Sequence, residues 1–515
     1  MRIRWCRMAA VTTVVLLTAT MGNVPAALAI EAPSVDPALV PPDGAPGPEQ
    51  PMRQSNTCAR TVAVSEPDIA LPAPGFAMLN AAKAWQHSTG NGVSVAVIDT
   101  GVNPNPRLPV VPGGDYIMGG DGLTDCDAHG TIVASLIAAA PQGSPMPAPV
   151  PPRPAFRPPA GLPSTTGGSL PSGSPAPSRP AGSDRVVPAD AAASPASSGA
   201  PDGVVGVAPH ATVISIRQSS RAYEPQSPGL GDFETRKKAG TVATLSRAIV
   251  HAANLGAQVI NVSVTACVSA ADPLDQSAIG AAVWYAATVK DAVIIAAAGN
   301  EGEDGCAQNP AFNPLDADDP RDWRGVKTVS SPSWFSDYVL SVGAVDNTGA
   351  PVTKSLAGPW IGTAAPGVGI MGLSPQTGAP VNAYPPARPG EPTAPIWGTS
   401  FAAAYVSGVA ALVRAKYPKL AARQVINRIL QTSHSPARGV DNQVGYGVVD
   451  PVAALTFNVP PGDRAAPGAA LRVMTPPQPP QPPDRRAHTA AMAFAVAVAV
   501  IAVVTAIVAR ARRAR

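Results

Sequence analysis

Charge is scarce in this sequence, and neither sign dominates. Charged residues make up 14% of the 515 positions, and the formal net charge at pH 7 is only +3. Part of that excess comes from four arginines among the last six residues. Nucleic-acid binders instead concentrate basic residues on one surface. We therefore expect no nucleic-acid partner.

Cysteine is also scarce, with five residues in the chain. No two of them stand at the short spacing that zinc sites usually show, so we expect neither a metal site nor another cofactor. If Cys6 is removed with a signal peptide, four cysteines remain: Cys58, Cys126, Cys267 and Cys306. An even number in an exported protein favours two disulfides, for which four cysteines allow three connectivities.

The two ends of the chain indicate export and a membrane anchor. Three arginines precede an apolar run, and Ala27, Leu28 and Ala29 fit a signal-peptidase site, so cleavage is expected after Ala29. Residues 489–509 are uncharged and numerous enough to cross a bilayer of about 30 Å as a helix. Arginines follow at once, which places the C-terminus in the cytoplasm and the body of the protein outside it. The alternative, a buried core helix, fits the flanking charges less well.

Proline is abundant, with 62 residues, and it limits the length that can fold. Four proline-rich segments hold too little apolar surface to offset their ordering entropy and are predicted to be linkers or loops: 31–51, 141–202, 374–395 and 460–484. We therefore expect one sizeable domain. The long insertion, 141–202, contains no recognisable catalytic or binding motif, and we expect it to be a surface loop and not a binding element.

Between these segments, apolar runs alternate with helical patterns. Strands are predicted at 93–98, 212–216, 259–264, 292–297 and 339–342, and helices at 241–255 and 275–289. Continuous rather than alternating apolarity indicates strands that are covered on both faces. The fold class is therefore α/β, with a mostly parallel central sheet and helices on both faces. Active sites in such sheets lie at the carboxyl ends of the strands.

Four polar residues lie at positions where such a fold places its active-site residues. Asp99 comes at the carboxyl end of a buried strand, and Asn300 ends another. His129 opens an apolar helix beside Gly130, and Ser400 opens a helix of small residues. Helix starts favour developing negative charge, and an amide side chain is a suitable donor to an oxyanion.

Each of these residues has a plainer explanation when taken alone. An aspartate before a turn is common, and the serine could be a helix N-cap. His129 could cap its helix or bind a metal with Asp125 and Asp127. Their joint occurrence, in the order Asp, His, Asn, Ser along one parallel-sheet domain, favours a shared catalytic role.

The motifs around these residues resemble those of the subtilases, whose triad follows the order Asp, His, Ser. The matching segments are AVIDTG, HGT, GVAPHA, VINVS, AAGNEG and GTSFAAAYVSG, and they span residues 77–455 apart from the insertion. The signal peptide, the cysteine placement and the proline linker before a C-terminal helix resemble those of the mycosins, mycobacterial proteases associated with type VII secretion systems.

The resemblance implies a subtilisin-like fold and a role for each polar residue. Asp99 would orient His129, which would act first as general base and then as acid. Ser400 would attack the scissile carbonyl, and Asn300 with the Ser400 amide would hold the oxyanion. The resemblance further implies that two backbone segments bind the substrate: Ser263, Val264 and Thr265, and Ala298 with Gly299.

Two features depart from the subtilase pattern. Many subtilases continue the VINVS-type motif with Leu-Gly-Gly, whereas here Val264, Thr265 and Ala266 follow, and this bulkier, stiffer edge predicts a narrow substrate range. The segment before the catalytic domain is short and proline-rich, unlike a compact folded propeptide. It is therefore not expected to act as a removable chaperone.

Strand positions favour one disulfide pattern. Cys267 follows the VINVS strand and Cys306 follows the strand that ends at Asn300. We expect these two to meet at the carboxyl edge of neighbouring strands, which leaves Cys58 to pair with Cys126. That second bond would tether the N-terminal extension beside His129.

These features predict a segmented, membrane-anchored protein. The expected parts are a signal peptide (1–29), a tethered N-terminal extension (30–76), a peptidase domain (77–458) with the 141–202 insertion, a proline-rich linker (459–488), a single transmembrane helix (489–509) and a cytoplasmic tail (510–515).

Two functions fit this organisation. One is a serine endopeptidase of narrow specificity acting on protein substrates outside the cytoplasm. The other is a structural subunit that stabilises a type VII secretion membrane complex, whether or not it cuts anything.

Overall fold

The computed structural model describes residues 30–150, 201–227, 239–272, 275–303, 305–310, 319, 321–437, 439–464 and 504–512. The predicted signal peptide, residues 151–200 of the insertion and residues 489–503 of the predicted transmembrane helix lie outside these ranges. Residues 504–512 are helical, and among the described residues no helix is both long and apolar enough to cross a membrane. The chain divides into two compact units, Met1–Pro467 and Gly468–Arg515, and the first contains the elements below.

A seven-stranded sheet organises the first unit. The strands in chain order are β1 (Met52–Gln54), β2 (Ser94–Asp99), β3 (Val110–Asp115), β4 (Thr212–Arg217), β5 (Tyr223–Pro225), β6 (Val259–Val262), β7 (Ala266–Ser269), β8 (Val293–Ala297), β9 (Thr328–Ser331), β10 (Val339–Val345), β11 (Ile361–Pro366), β12 (Gly372–Leu373), β13 (Pro380–Val381), β14 (Ala383–Tyr384) and β15 (Ala394–Pro395). The large sheet has the order β11-β10-β8-β6-β2-β4-β3, and every neighbouring pair in it is parallel. The remaining strands form two-stranded antiparallel ribbons.

Helices cover the sheet on both sides. They are α1 (Pro74–Met78), α2 (Ala81–Ala84), α3 (His129–Ala138), α4 (Val242–Asn254), α5 (Ser277–Trp284), α6 (Thr399–Lys416), α7 (Ala422–Thr432) and α8 (Pro451–Thr456). Alternate residues of a strand point to opposite faces. In β2, Val95 and Val97 pack with the α3 and α6 side chains, whereas Ala96 and Ile98 pack with those of α4 and α5. The predicted two-layered covering of a parallel sheet is confirmed.

The strand order places β2 inside the sheet, where the direction of strand addition changes. From β2 the chain adds β4 and β3 on one side and β6, β8, β10 and β11 on the other. A change of direction in strand order opens a crevice at the carboxyl ends of the strands. Asp99 is the last residue of β2, so it lies at this crevice.

One predicted strand is shorter than expected. The apolar run 259–264 predicts a strand through Val264, but β6 ends at Val262. The chain then leaves the large sheet and enters β7, whose partner is β9. Residues 263–265 therefore link two sheets, with Val264 and Thr265 half-exposed.

Two proline-rich segments pack more closely than their composition predicts. In 31–51, Asp43 accepts a hydrogen bond from Asn254 Nδ2 (2.8 Å), and Glu49 accepts one from Thr241 Oγ1 (2.7 Å). In 374–395, predicted as a loop, the chain forms β13, β14 and β15, and Val62 N donates to Ala383 O (2.9 Å). Proline loses little conformational freedom on ordering, so a few contacts with a folded surface are enough to hold such segments.

Both favoured disulfides are present. Cys58 bonds to Cys126 across 68 residues of sequence, and Cys267 bonds to Cys306 across 39. Closure of loops this long lowers the entropy of the unfolded chain by an amount worth about 4 kcal/mol each in the chain-entropy model. Because Cys126 stands three residues before α3, the first bond ties the N-terminal extension next to the start of that helix. A backbone cut after Cys58 would leave the extension attached.

Candidate active site

A buried carboxylate and a histidine meet at the centre of the crevice. Asp99 is fully buried at the end of β2, and His129, the first residue of α3, keeps 26% of its side chain exposed. His129 Nδ1 lies 2.7 Å from Asp99 Oδ1, and the same oxygen accepts the Thr100 amide at 2.7 Å. The Asp99 contact with Nδ1 leaves the other ring nitrogen, Nε2, available as a base.

Small residues permit this contact. A Cβ atom on Gly130 would stand 2.1 Å from the Gly101 carbonyl oxygen and 3.1 Å from Asp99 Oδ1, so the start of α3 can approach the end of β2 only with glycine at this position. Ala128, just before the helix, has φ of +64°, a left-handed conformation that costs a non-glycine residue about 1 kcal/mol or more. The turn directs His129 toward the carboxylate.

The pKa of His129 lies above its ordinary value. Burial alone would lower the pKa, but the charge and hydrogen bond of Asp99 outweigh that effect, with a further contribution from Asp125. Arg221 opposes the rise to a smaller degree. The quarter of the ring that stays in contact with solvent limits the effect of burial, which supports the upward direction.

A second buried carboxylate, Asp125, lies behind this pair. Its oxygens accept hydrogen bonds from the Thr100 hydroxyl (2.8 Å) and from the Thr131 amide (2.9 Å) and hydroxyl (2.7 Å). Burial raises the pKa of Asp125 to about 6, although these hydrogen bonds oppose the rise. Thr100 Oγ1 also accepts the Gly130 amide (2.9 Å), so Asp125 and Thr100 connect the end of β2 to the start of α3 beside Asp99 and His129.

Sequence reasoning considered Asp125 and Asp127 only as alternative metal ligands. In the structure their oxygens are occupied by protein donors: Asp127 accepts from Ser220 Oγ and from the Arg221 amide. The described residues contain no group of three or more His, Cys, Asp and Glu side chains placed to hold a metal ion.

Ser400 is the second residue of α6 and lies in its first, partly unpaired turn. Its Oγ donates to the Ser263 carbonyl (2.9 Å), and Ser263 Oγ donates back to the Ser400 carbonyl (3.3 Å). The next residue, Phe401, packs against His129 with 5.0 Å between ring centroids. The start of α6 therefore stands beside the histidine.

Asn300 faces the start of α6. Its Oδ1 accepts hydrogen bonds from the Thr399 amide (3.0 Å) and hydroxyl (3.1 Å). A backbone amide can only donate, so this contact determines which amide atom is oxygen. Nδ2 is therefore the donor of this side chain, the kind of group that can stabilise an oxyanion. Nδ2 now donates to Glu303 Oε2 (3.2 Å).

The predicted substrate-binding segments both contact the start of α6. Ser263 is nearly buried against Ser400, and Val264 and Thr265 continue from it along a half-exposed edge. The Gly299 amide donates to Thr399 Oγ1 (3.1 Å) and its carbonyl accepts the Leu356 amide (2.9 Å). Ala298 N is bonded within the sheet to Val342 O (3.0 Å). The Gly299 backbone is thus already paired and both residues are buried, so the structure leaves neither exposed to a substrate backbone.

A buried polar network next to Ser400 was not predicted. Asn261 Nδ2 donates to Ser263 Oγ (2.7 Å), and Asn261 Oδ1 accepts from Ser407 Oγ (2.9 Å). The network links β6 to α6 and so sets the position of Ser400 relative to the edge at Ser263. A polar residue inside an otherwise apolar strand motif was the available signal, since buried polar groups need partners.

A carboxylate-paired histidine, a helix-start serine and an amide donor therefore share one crevice. This combination supports nucleophilic acyl transfer, in which a base activates a hydroxyl and a donor stabilises the oxyanion.

The sequence matches the model of the Subtilase family over residues 90–447. Mycosin-2 of Mycobacterium tuberculosis is 61% identical over 502 residues, which cover 91% of this chain and 91% of that protein. Mycosin-5 of the same organism is 46% identical over 544 residues and 92% of each chain.

Solved structures agree in fold. The crystal structure of MycP1 from Mycobacterium smegmatis has a TM-score of 0.71 at 40% identity and covers 87% of this chain and 100% of its own. The structure of the periplasmic assembly from the ESX-5 inner membrane complex contains a chain with a TM-score of 0.69 at 48% identity, covering 88% of this chain and 100% of that one. With the site geometry above, these similarities show that the chain belongs to the subtilase family of serine proteases, in its mycosin group.

Proposed function

We propose that this protein is an extracytoplasmic serine endopeptidase with Asp99, His129 and Ser400 as its catalytic triad. The Asp99 to His129 contact of 2.7 Å, beside the helix start that holds Ser400, is the observation that carries the proposal. The expected absence of a metal or cofactor is consistent with this chemistry, because a triad needs neither.

The mechanism begins with a change of partner at Ser400. His129 Nε2 takes the hydroxyl proton as Ser400 Oγ attacks the peptide carbonyl carbon, and Asp99 stabilises the resulting imidazolium through Nδ1. The carbonyl oxygen becomes an oxyanion, which Asn300 Nδ2 and the Ser400 amide hold. His129 then gives its proton to the leaving amine, the peptide C–N bond breaks, and water hydrolyses the acyl-enzyme by the same steps.

The substrate is proposed to be an extended protein segment of restricted sequence. An extended chain can add to the edge at 263–265 through its backbone. The β-branched side chains of Val264 and Thr265 make this edge stiffer than the glycines found there in many subtilases. Cleavage rates across a peptide library should differ widely between sequences, and uniform cleavage would contradict this part of the proposal.

Membrane attachment and a role in type VII secretion complete the proposal. Relatives of 46% identity and above are mycosins, and one similar chain lies in the periplasmic assembly of the ESX-5 inner membrane complex. The uncharged run 489–509, followed by arginines, would anchor the chain with its body on the extracytoplasmic side. The full chain should resist carbonate extraction from membranes, and a chain ending at Arg464 should not.

A structural role within the secretion complex is the second candidate. The observation in its favour is the presence of a similar chain in the ESX-5 assembly. Secretion by a strain that carries Ser400→Ala, compared with a deletion strain, separates the two roles. If both strains lose secretion, secretion requires catalysis. If the Ser400→Ala strain retains secretion and the deletion strain loses it, secretion requires the protein as a structural subunit.

The triad assignment predicts selective covalent labelling. Full-length protein in detergent should react with a neutral peptidyl phosphonate at Ser400, because only an activated hydroxyl reacts at an appreciable rate. His129→Ala should abolish labelling, while His434→Ala, which changes an exposed histidine paired with Asp450, should not affect it. Mass spectrometry locates the modified residue. Unchanged labelling of His129→Ala would show that the assigned base is wrong.

The environment of His129 predicts how the rate of phosphonylation changes at acid pH. The base must be neutral, so the rate of phosphonylation should fall as the pH drops through the pKa of His129, with a midpoint above the ordinary value of 6.5. Arg221→Gln removes a positive charge that favours the neutral ring, so the midpoint should move to higher pH. A midpoint at or below 6.5 in the unaltered protein would contradict the account of this site.

A further inference from the structure

Glu303 pairs with Asn300, the side chain proposed to stabilise the oxyanion. Its Oε2 accepts a hydrogen bond from Asn300 Nδ2 (3.2 Å) and lies 3.4 Å from Arg221 Nη2. One carboxylate oxygen therefore binds both the proposed oxyanion donor and a cation. The catalytic mechanism proposed above gives Glu303 no role.

The pair of Glu303 and Arg221 crosses the catalytic centre. Arg221 follows β4, and its amide donates to Asp127 Oδ1 (2.7 Å), two residues before His129. Glu303 stands on the other side, three residues after Asn300, whose side chain is bound to the start of α6. Arg221 is near enough to His129 to oppose the rise in its pKa. Two side chains thus bridge the crevice that a substrate must enter.

The backbone that carries Glu303 is well held, whereas the bridge itself is exposed. The Glu303 amide donates to Asn300 O (3.1 Å), and the Cys306 amide donates to Glu303 O (2.8 Å), next to the disulfide with Cys267. The side chains of Arg221 and Glu303 are 77% and 43% exposed. Exposed ion pairs contribute little to stability, so an incoming peptide can displace this one.

A carboxylate at this position opposes the reaction. An amide nitrogen has two hydrogens, so Glu303 need not block the donor completely. Its negative charge does lie next to the nitrogen that must stabilise the oxyanion. Repulsion between the carboxylate and the oxyanion raises the energy of the transition state. Arg221 offsets only part of that charge, because both groups are solvated.

We propose that Glu303 is a positioning residue that keeps Asn300 in a resting pair and slows acylation until a substrate displaces the bridge to Arg221. This inference rests on the proposed function, in which Ser400 is the nucleophile and Asn300 the oxyanion donor. A substrate that moves Glu303 aside receives both hydrogens of Asn300 Nδ2 free of the carboxylate, and other substrates react slowly. Glu303 therefore adds selectivity that the edge at 263–265 alone does not provide.

The test compares phosphonylation of Ser400 in full-length variants with the neutral peptidyl phosphonate. Glu303→Ala and Glu303→Gln should raise the bond-forming rate constant about three- to tenfold, the range expected for loss of one exposed hydrogen bond or ion pair. The apparent dissociation constant of the probe should change less, because the oxyanion develops only in the transition state. Glu303→Asp keeps the charge and should give a smaller gain than Glu303→Gln.

Glu391 provides a matched control. It pairs with Arg388 at 3.3 Å and has the same side-chain exposure, 43%, as Glu303. Glu391→Gln should leave the rate unchanged. If Glu303→Ala does not fold, as judged by thermal unfolding, Glu303→Gln decides the matter because it keeps the side-chain size.

Three results are decisive. Faster phosphonylation of Glu303→Gln supports the inference. An equal or slower rate in Glu303→Gln, with labelling at Ser400 intact, overturns the inference and leaves the proposed function standing. Absence of Ser400 labelling in the unaltered chain and in every variant overturns the proposed function and, with it, this inference.

Discussion

The contact between Asp99 and His129 joins an inner strand of the sheet, β2, to a helix that covers it. A carboxylate buried this completely is costly unless charged or hydrogen-bonding partners surround it, and Asp99 Oδ2 has no hydrogen-bond partner among the described residues. The histidine and the Thr100 amide, both on Oδ1, compensate part of that cost. Glycine at position 130 makes the approach possible. Strand, turn and helix must therefore assemble together for His129 to be positioned.

The proposed nucleophile and the proposed oxyanion donor are held in place by other parts of the same sheet. Ser400 is bonded to the end of β6 through Ser263, and Asn300 follows β8 and is bonded to α6 through Thr399. Each group also has an internal partner: the Ser263 carbonyl for the serine, and the Glu303 carboxylate for the amide. In the proposed mechanism Ser400 gives up its partner as it reacts, and displacement of Glu303 frees Asn300. Such internal hydrogen bonds lower the net cost of keeping polar groups in a partly buried site.

Much of the fold and site could be predicted because parallel strands end at a common edge. Asp99 ends one continuous apolar run and Asn300 follows another, so their position at the same edge of the sheet follows from the class of sheet. Asp125 could not be assigned a role in this way, because its importance depends on Thr100 and Thr131, which come near it only in the folded chain. Glu303 gives no sequence signal, since one exposed glutamate resembles any other until its neighbours are known. The packing of residues 31–51 was not predicted. Their composition indicates the entropy that is lost when the segment becomes ordered, but not which folded surface the segment can contact.

A structure of the phosphonate adduct would test the central claim most directly. The account predicts a covalent bond from Ser400 Oγ to phosphorus, with a phosphonyl oxygen about 2.7 to 3.1 Å from Asn300 Nδ2 and His129 Nε2 facing the serine oxygen. Glu303 should have left Asn300. A phosphorus atom on any other residue, or a phosphonyl oxygen that points away from Asn300, would contradict the account.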